Sequence, residues 1–207
     1  MIFHPFREHV KIAVRVTLGL ADDTEDDPGQ LGRRLEQQPA LQGADGDLDG
    51  TFVSVSAGTA HIYEVMSPTH TCAVRSDGSV ACWGWGWGSS VLDDLTAPAG
   101  TFASVSAGNG HTCGVKSDGT LACWGYNSAG QATAPAGTFA SVSARTDYTC
   151  GVKSDGSVVC WGDNSSGQAT PPTGSFAQVS AGDSFACGIR PNRRVECWGS
   201  QVRPPQD

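Results

Sequence analysis

Residues 111–125, HTCGVKSDGTLACWG, place two cysteines ten positions apart on either side of a Ser-Asp-Gly. The stretch is rich in Val, Thr and small residues and is bounded by glycine, the composition of a short strand pair. It reads as a β-hairpin with a three-residue loop, Ser117-Asp118-Gly119, in which glycine supplies the left-handed position of a type I turn plus bulge. Counting outward from that loop, Lys116 faces Thr120, Val115 faces Leu121, Gly114 faces Ala122 and Cys113 faces Cys123. This register sets the cysteines at a non-hydrogen-bonded site, where facing Cα atoms lie about 4.5 Å apart and side chains are closest. That separation is at the short end of what a disulfide accepts.

The same stretch occurs in four variants. Phe102, Phe139 and Phe176 are 37 residues apart, as are Cys113, Cys150 and Cys187, and Cys123, Cys160 and Cys197. AGTFASVSA occurs identically at 99–107 and 136–144. The first copy, with Phe52, Cys72 and Cys82, is longer because of inserts around IYEVMSPTH and WGWGSSVLDD. A fixed period of this length marks a repeat architecture. Each copy offers one strand before the hairpin, so it predicts Cys72–Cys82, Cys113–Cys123, Cys150–Cys160 and Cys187–Cys197 bridges that staple each unit internally. Closing such a loop contributes roughly 3 kcal/mol per bridge in the chain-entropy account. Other readings of the cysteines compete. Zinc sites favour pairs two to four residues apart, not a nine-residue gap. A helical hairpin would bury two glycines in its interior, each costing about 1 kcal/mol. Reduced, buried thiols in a cytosolic protein are the third alternative. An even cysteine number and facing placement favour the disulfides and an oxidising compartment.

The bulk composition bounds the rest. The 207 residues are 39% hydrophobic, enough to build a core, and carry a formal charge of −8. Residues 1–50 hold ten acids against five bases, so most of the acidity lies in an N-terminal tail. Without a basic tract, phosphate contacts lack their clustered Lys and Arg, which argues against nucleic acid. No run approaches the roughly 18 apolar residues of a membrane helix, so membrane insertion is not expected. The stretch HVKIAVRVTLGLADD has the basic residues, short apolar run and small pair Gly19 and Ala21 of a signal peptide, but Arg15 interrupts it. An unrelated leader is the alternative. The organisation is then a tail over 1–50 and a repeat domain over 51–203, divided as 51–98, 99–135, 136–172 and 173–203.

His111, Cys113, Asp118, Gly119, Trp124, Gly125, Asn127, Gly130 and Gln131 form a pattern that resembles the regulator of chromosome condensation repeat. The version with paired cysteines is also similar to the crinkly repeats of plant receptor-kinase ectodomains and to short secreted bacterial repeats. The resemblance covers 51 to about 203 and implies an all-β, β-propeller-type fold, one small antiparallel blade per copy. The founding member exchanges guanine nucleotide on a small GTPase and closes seven blades. No exchange residue of that family falls on a matching position here. Four copies imply a small closed ring, a partial arc or a fragment, and an open arc leaves sheet edges for another chain, a homo-oligomer among the expectations.

Candidate chemistry is sparse. His70 and His111 share their slot with Tyr148 and Phe185, so the slot wants a flat ring, and packing between blades is favoured over catalysis. Asp77, Asp118 and Asp155 sit in hairpin loops where Asp is expected for turn reasons. DGDLDG at 45–50 matches half of a calcium loop, but the bidentate Glu position falls on Ser56; a solvated acidic linker is favoured, and no metal or cofactor is assigned. In copy four RPNRRVEC replaces the usual loop, so Arg193 must take the left-handed conformation at a cost of order 1 kcal/mol. Two residues after the shared tryptophan the copies differ, with Trp85, Tyr126, Asp163 and Ser200 on an otherwise fixed frame. Variable loops on a fixed frame are how repeat proteins carry contact surfaces. The expected partner-binding rim is therefore Trp85, Trp87, Tyr126 and Asp163. The alternative is that WGWGWGSS is slippage in a duplicated gene and its aromatics merely pack. The reading is a non-enzymatic module, secreted or on a cell surface, binding a protein or glycan. The alternatives are an interaction or regulatory part of a larger receptor or enzyme, and, third, an exchange factor.

Overall fold

The computed structural model describes residues 51–58, 70–84 and 96–200. The leader-like stretch, the acidic DGDLDG, Trp85 and Trp87 lie outside the described residues. Twelve strands are formed among the described residues: β1 (Phe52–Ala57), β2 (His70–Arg75), β3 (Val80–Gly84), β4 (Phe102–Ala107), β5 (His111–Lys116), β6 (Leu121–Gly125), β7 (Phe139–Ala144), β8 (Tyr148–Lys153), β9 (Val158–Gly162), β10 (Gln178–Ala181), β11 (Phe185–Ile189) and β12 (Val195–Gly199). They make four three-stranded antiparallel sheets, β1-β2-β3, β4-β5-β6, β7-β8-β9 and β10-β11-β12, one blade per sequence copy.

The hairpin register follows the count from the loop. Val115 faces Leu121, Gly114 faces Ala122 and Cys113 faces Cys123, and the other three copies pair alike. Gly78, Gly119 and Gly156 take φ of 85°, 83° and 86° in the loop. Arg193 occupies their place in copy four at φ 67°, the one non-glycine residue with positive φ among the described residues. The four cysteine pairs are bonded within their own hairpins, with Cα atoms 4.0–4.1 Å apart, a little closer than an unbonded facing pair. Phe102 and Phe139 on the first strands of copies two and three, and Phe176 just before β10, lie over the middle strand of their own sheets. A Cβ at Gly114, Gly151 or Gly188 would stand 2.5–2.7 Å from the ring over it, so the ring takes the space of a side chain.

The core lies between sheets. Phe102 and Val105 of copy two pack on Cys72 and Val74 of copy one. Phe176 and Val179 of copy four pack likewise on Cys150 and Val152 of copy three. A polar ladder runs through the same junctions: the backbone N–H groups of Ala107, Ala144 and Ala181 donate to the Oγ atoms of Ser56, Ser106 and Ser143 at 3.0, 2.9 and 3.0 Å. Among the described residues no strand of copy one makes extended contact with a strand of copy four.

Candidate functional site

Each sheet has two rims. One carries the hairpin loops, where Asp77, Asp118 and Asp155 accept the backbone N–H two residues on at 2.8–2.9 Å. Asp118 and Asp155 are held below the usual carboxylate range first by the hydroxyls of Thr120 and Ser157 and then by these N–H groups, and Asp77 first by the Ser79 N–H. These aspartates shape turns, and Asn192 does the same for Arg194 in copy four.

The opposite rim carries the variable slot. Its backbone is pinned identically in three copies: the N–H of Tyr126, Asp163 and Ser200 donates to the carbonyl of Gly110, Asp147 and Ser184 at 2.7, 2.8 and 2.9 Å. Side chains of aromatic, acidic and small character therefore leave equivalent points of one frame. Tyr126 and Asp163 are half-buried and occupy corresponding places in neighbouring sheets. The Asp163 carboxylate accepts from Ser165 Oγ at 2.9 Å and from Gln168 Nε2 at 2.7 Å, so it also braces its own loop. A shallow polar cleft beside it is lined by Thr146, Asp147, Tyr148, Gln168, Asp183 and Ser184. Its carboxylates are engaged as well, Asp183 by Arg145 Nε at 2.9 Å and Asp147 by Gln131 Nε2 at 3.3 Å. Among the described residues no group of three or more His, Cys, Asp or Glu is placed to hold a metal ion.

The aromatic slot lies at the junctions between units. His70 Nε2 is 2.6 Å from Thr112 Oγ1 and His111 Nε2 is 2.9 Å from Thr149 Oγ1, each ring bonding the next copy. Both Nδ1 atoms are buried without a hydrogen-bond partner among the described residues. Desolvation lowers both pKa values, that of His111 to about 4. In copy three the longer Tyr148 donates its hydroxyl to the Phe185 carbonyl, and the facing threonine slot is Ala186. Ring and partner thus change together from His with Thr to Tyr with Ala.

The family model described as the regulator of chromosome condensation repeat matches residues 102–131 and 139–168. Two of its four copies therefore match the regulator of chromosome condensation repeat. Each matched segment of the repeat runs from the core phenylalanine to a glutamine, Gln131 or Gln168, that is almost fully buried. Gln131 Oε1 accepts the N–H of Ala129, while its carbonyl accepts Trp161 Nε1 of the following unit at 2.9 Å. Gln168 repeats the arrangement with Ser166 and Trp198. Asn127 and Asn164 brace the same loops by accepting from Ala132 and Ala169. Copy one carries its WGWGWGSS insert where this loop belongs, and Trp124 Nε1 has no partner among the described residues. The clamp role of these glutamines is the feature that sequence reading misses.

The ectodomain of the receptor kinase CR4 from Physcomitrella patens superposes at a TM-score of 0.62 with 27% identity, over 78% of this chain and 44% of that one. The CRINKLY ectodomain of the receptor kinase ACR4 from Arabidopsis thaliana gives 0.56 and 28%, over 73% and 51%. Prp20p from Saccharomyces cerevisiae shares the fold alone, at a TM-score of 0.60 and 15% identity, over 74% and 46%. The chain spans about half the length of these structures. No curated protein matches it. It is a propeller-type repeat module whose paired cysteines resemble those receptor ectodomains.

Proposed function

We propose that the chain is a non-enzymatic binding module, secreted or displayed at a cell surface, that takes a protein or glycan partner on the rim of Trp85, Trp87, Tyr126 and Asp163. The observation that carries this reading is the identically pinned backbone at Tyr126, Asp163 and Ser200 beneath three different side chains. A rigid frame removes the ordering cost that a flexible loop would add to binding. Tyrosine and tryptophan supply broad contact area with few torsions to freeze. Four disulfides favour an oxidising compartment, as does the likeness to two receptor ectodomains. Prp20p, described with its binding to Gsp1p and histones, is too distant to lend this chain its partners. A second reading, an interaction part of a larger receptor, is favoured by the chain spanning about half of each receptor ectodomain structure.

The test is retention of proteins from culture supernatant, and of arrayed glycans, by the immobilised chain. The triple variant Trp85→Ala, Trp87→Ala, Tyr126→Ala is expected to lose about tenfold or more of the specific retention, with unchanged circular dichroism. Retention equal to wild type for every bound species would sink the rim reading.

A further inference from the structure

The two ends of the series expose the two halves of one repeated junction. At each internal junction an incoming first strand offers valine, alanine and an outward N–H, and the receiving sheet offers its middle strand and a serine Oγ. Val105 and Val179 are 7% exposed on incoming strands, whereas Val55, the same position in copy one, is 61% exposed. Ala57 is exposed where Ala107 and Ala144 are buried. On the receiving side, Val74 and Val152 are 0% and 3% exposed, whereas Ile189, their counterpart in copy four, is 37% exposed. Phe185 and Val195 are exposed beside it, and Ser180, the next serine of the ladder, is exposed with no incoming N–H.

We propose that the outer face of copy four receives β1 of a second molecule of this chain, head to tail. The occupant is specified by the ladder itself. A strand that fills this face must present valine and an alanine N–H in the register of Ala107, Ala144 and Ala181. Among the described residues β1 is the strand that presents both unburied. Among the described residues β1 makes no extended contact with the copy-four sheet of its own molecule. In the joined pair Val55 lies over Cys187 and Ile189, and the Ala57 N–H donates to Ser180 Oγ. Phe185, which lacks a ring nitrogen, covers Thr71 by packing rather than by a hydrogen bond.

A head-to-tail contact forms a ring if its rotation closes and a filament if it does not. Propellers typically close with four to eight blades. Two molecules of four sheets each supply eight, and three would exceed that range, so the assembly is a closed pair with two equivalent junctions. The junction surfaces lie on sheet faces and the variable slot on a rim, so pairing leaves the rim free.

Sedimentation velocity of the full chain tests this across concentration. Wild type is expected to reach twice its 21.4 kDa mass. Val55→Asp and Ile189→Asp alter already exposed positions, so each should keep its circular dichroism while weakening pairing by about 100-fold or more. Mixing the two variants is the decisive arm: each retains the face the other lacks, so the mixture should form a one-junction heterodimer. A wild type that stays monomeric at high concentration overturns the proposal. So does pairing that survives Ile189→Asp, a mixture that fails to associate, or growth into an open ladder.

Discussion

At Arg193 one side chain stands where three copies use glycine. Its φ of 67° lies in the left-handed region that an L side chain enters at a cost of about 1 kcal/mol. The neighbouring Asn192 still closes its turn on Arg194, so the loop conformation is retained and the penalty stays local. Arg193→Gly is expected to stabilise copy four by a few tenths to about 1 kcal/mol, glycine's extra freedom when unfolded offsetting part of the gain. The midpoint of urea unfolding checks this, and a lowered midpoint would contradict it. This strain is legible in the sequence because register and loop length fix which residue reaches the bend. The fate of Asp163 is not: its place on the rim follows from the repeat, but the bonds from Ser165 and Gln168 depend on how one loop curls. The switch from His with Thr to Tyr with Ala is also hidden, since the partners stand 37–42 residues apart and meet only once sheets stack.

At the scale of the element, the three-stranded sheet is too small to bury a core alone, and its sulfurs hold the hairpin from within. Each bridge closes ten residues of chain and none links two copies. Replacing Cys150 and Cys160 together by alanine is expected to cost roughly 3 kcal/mol of stability. The loss should centre on copy three and the sheets stacked against it, which amide exchange can resolve strand by strand. Uniform loss of protection over all four sheets would mean that the units unfold as one. The strands themselves are readable because the loop sets the register and the period repeats it. The clamp of Gln131 on Trp161 is unreadable for the opposite reason: a polar residue in a glycine-rich loop carries no pattern that predicts burial.

Across the whole molecule the junctions are chemically unequal, and that inequality sets the response to acid. His70 serves the junction of copies one and two, and His111 that of copies two and three. Tyr148 and Ala186 serve the last, where the phenol is pushed up to about 12 and does not titrate in acid. A histidine whose folded pKa lies below its unfolded value takes up its proton first in the unfolded chain. Stability is therefore intact above the ordinary value of 6.5 and falls as pH drops from there toward about 4. The rate is up to about 1.4 kcal/mol per pH unit for His111, about 3 kcal/mol in all. The hairpin aspartates have lowered pKa values, so their contribution is lost only at more acid pH and does not overlap this window. Amide protection in β5 and β7 should thus fall between pH 6.5 and 4 while that of β11 holds. The double variant His111→Tyr, Thr149→Ala transplants the non-titrating pair and should flatten the unfolding midpoint over the same range. If wild type and double variant lose stability in parallel, the acid sensitivity resides elsewhere and the buried histidines are not its source.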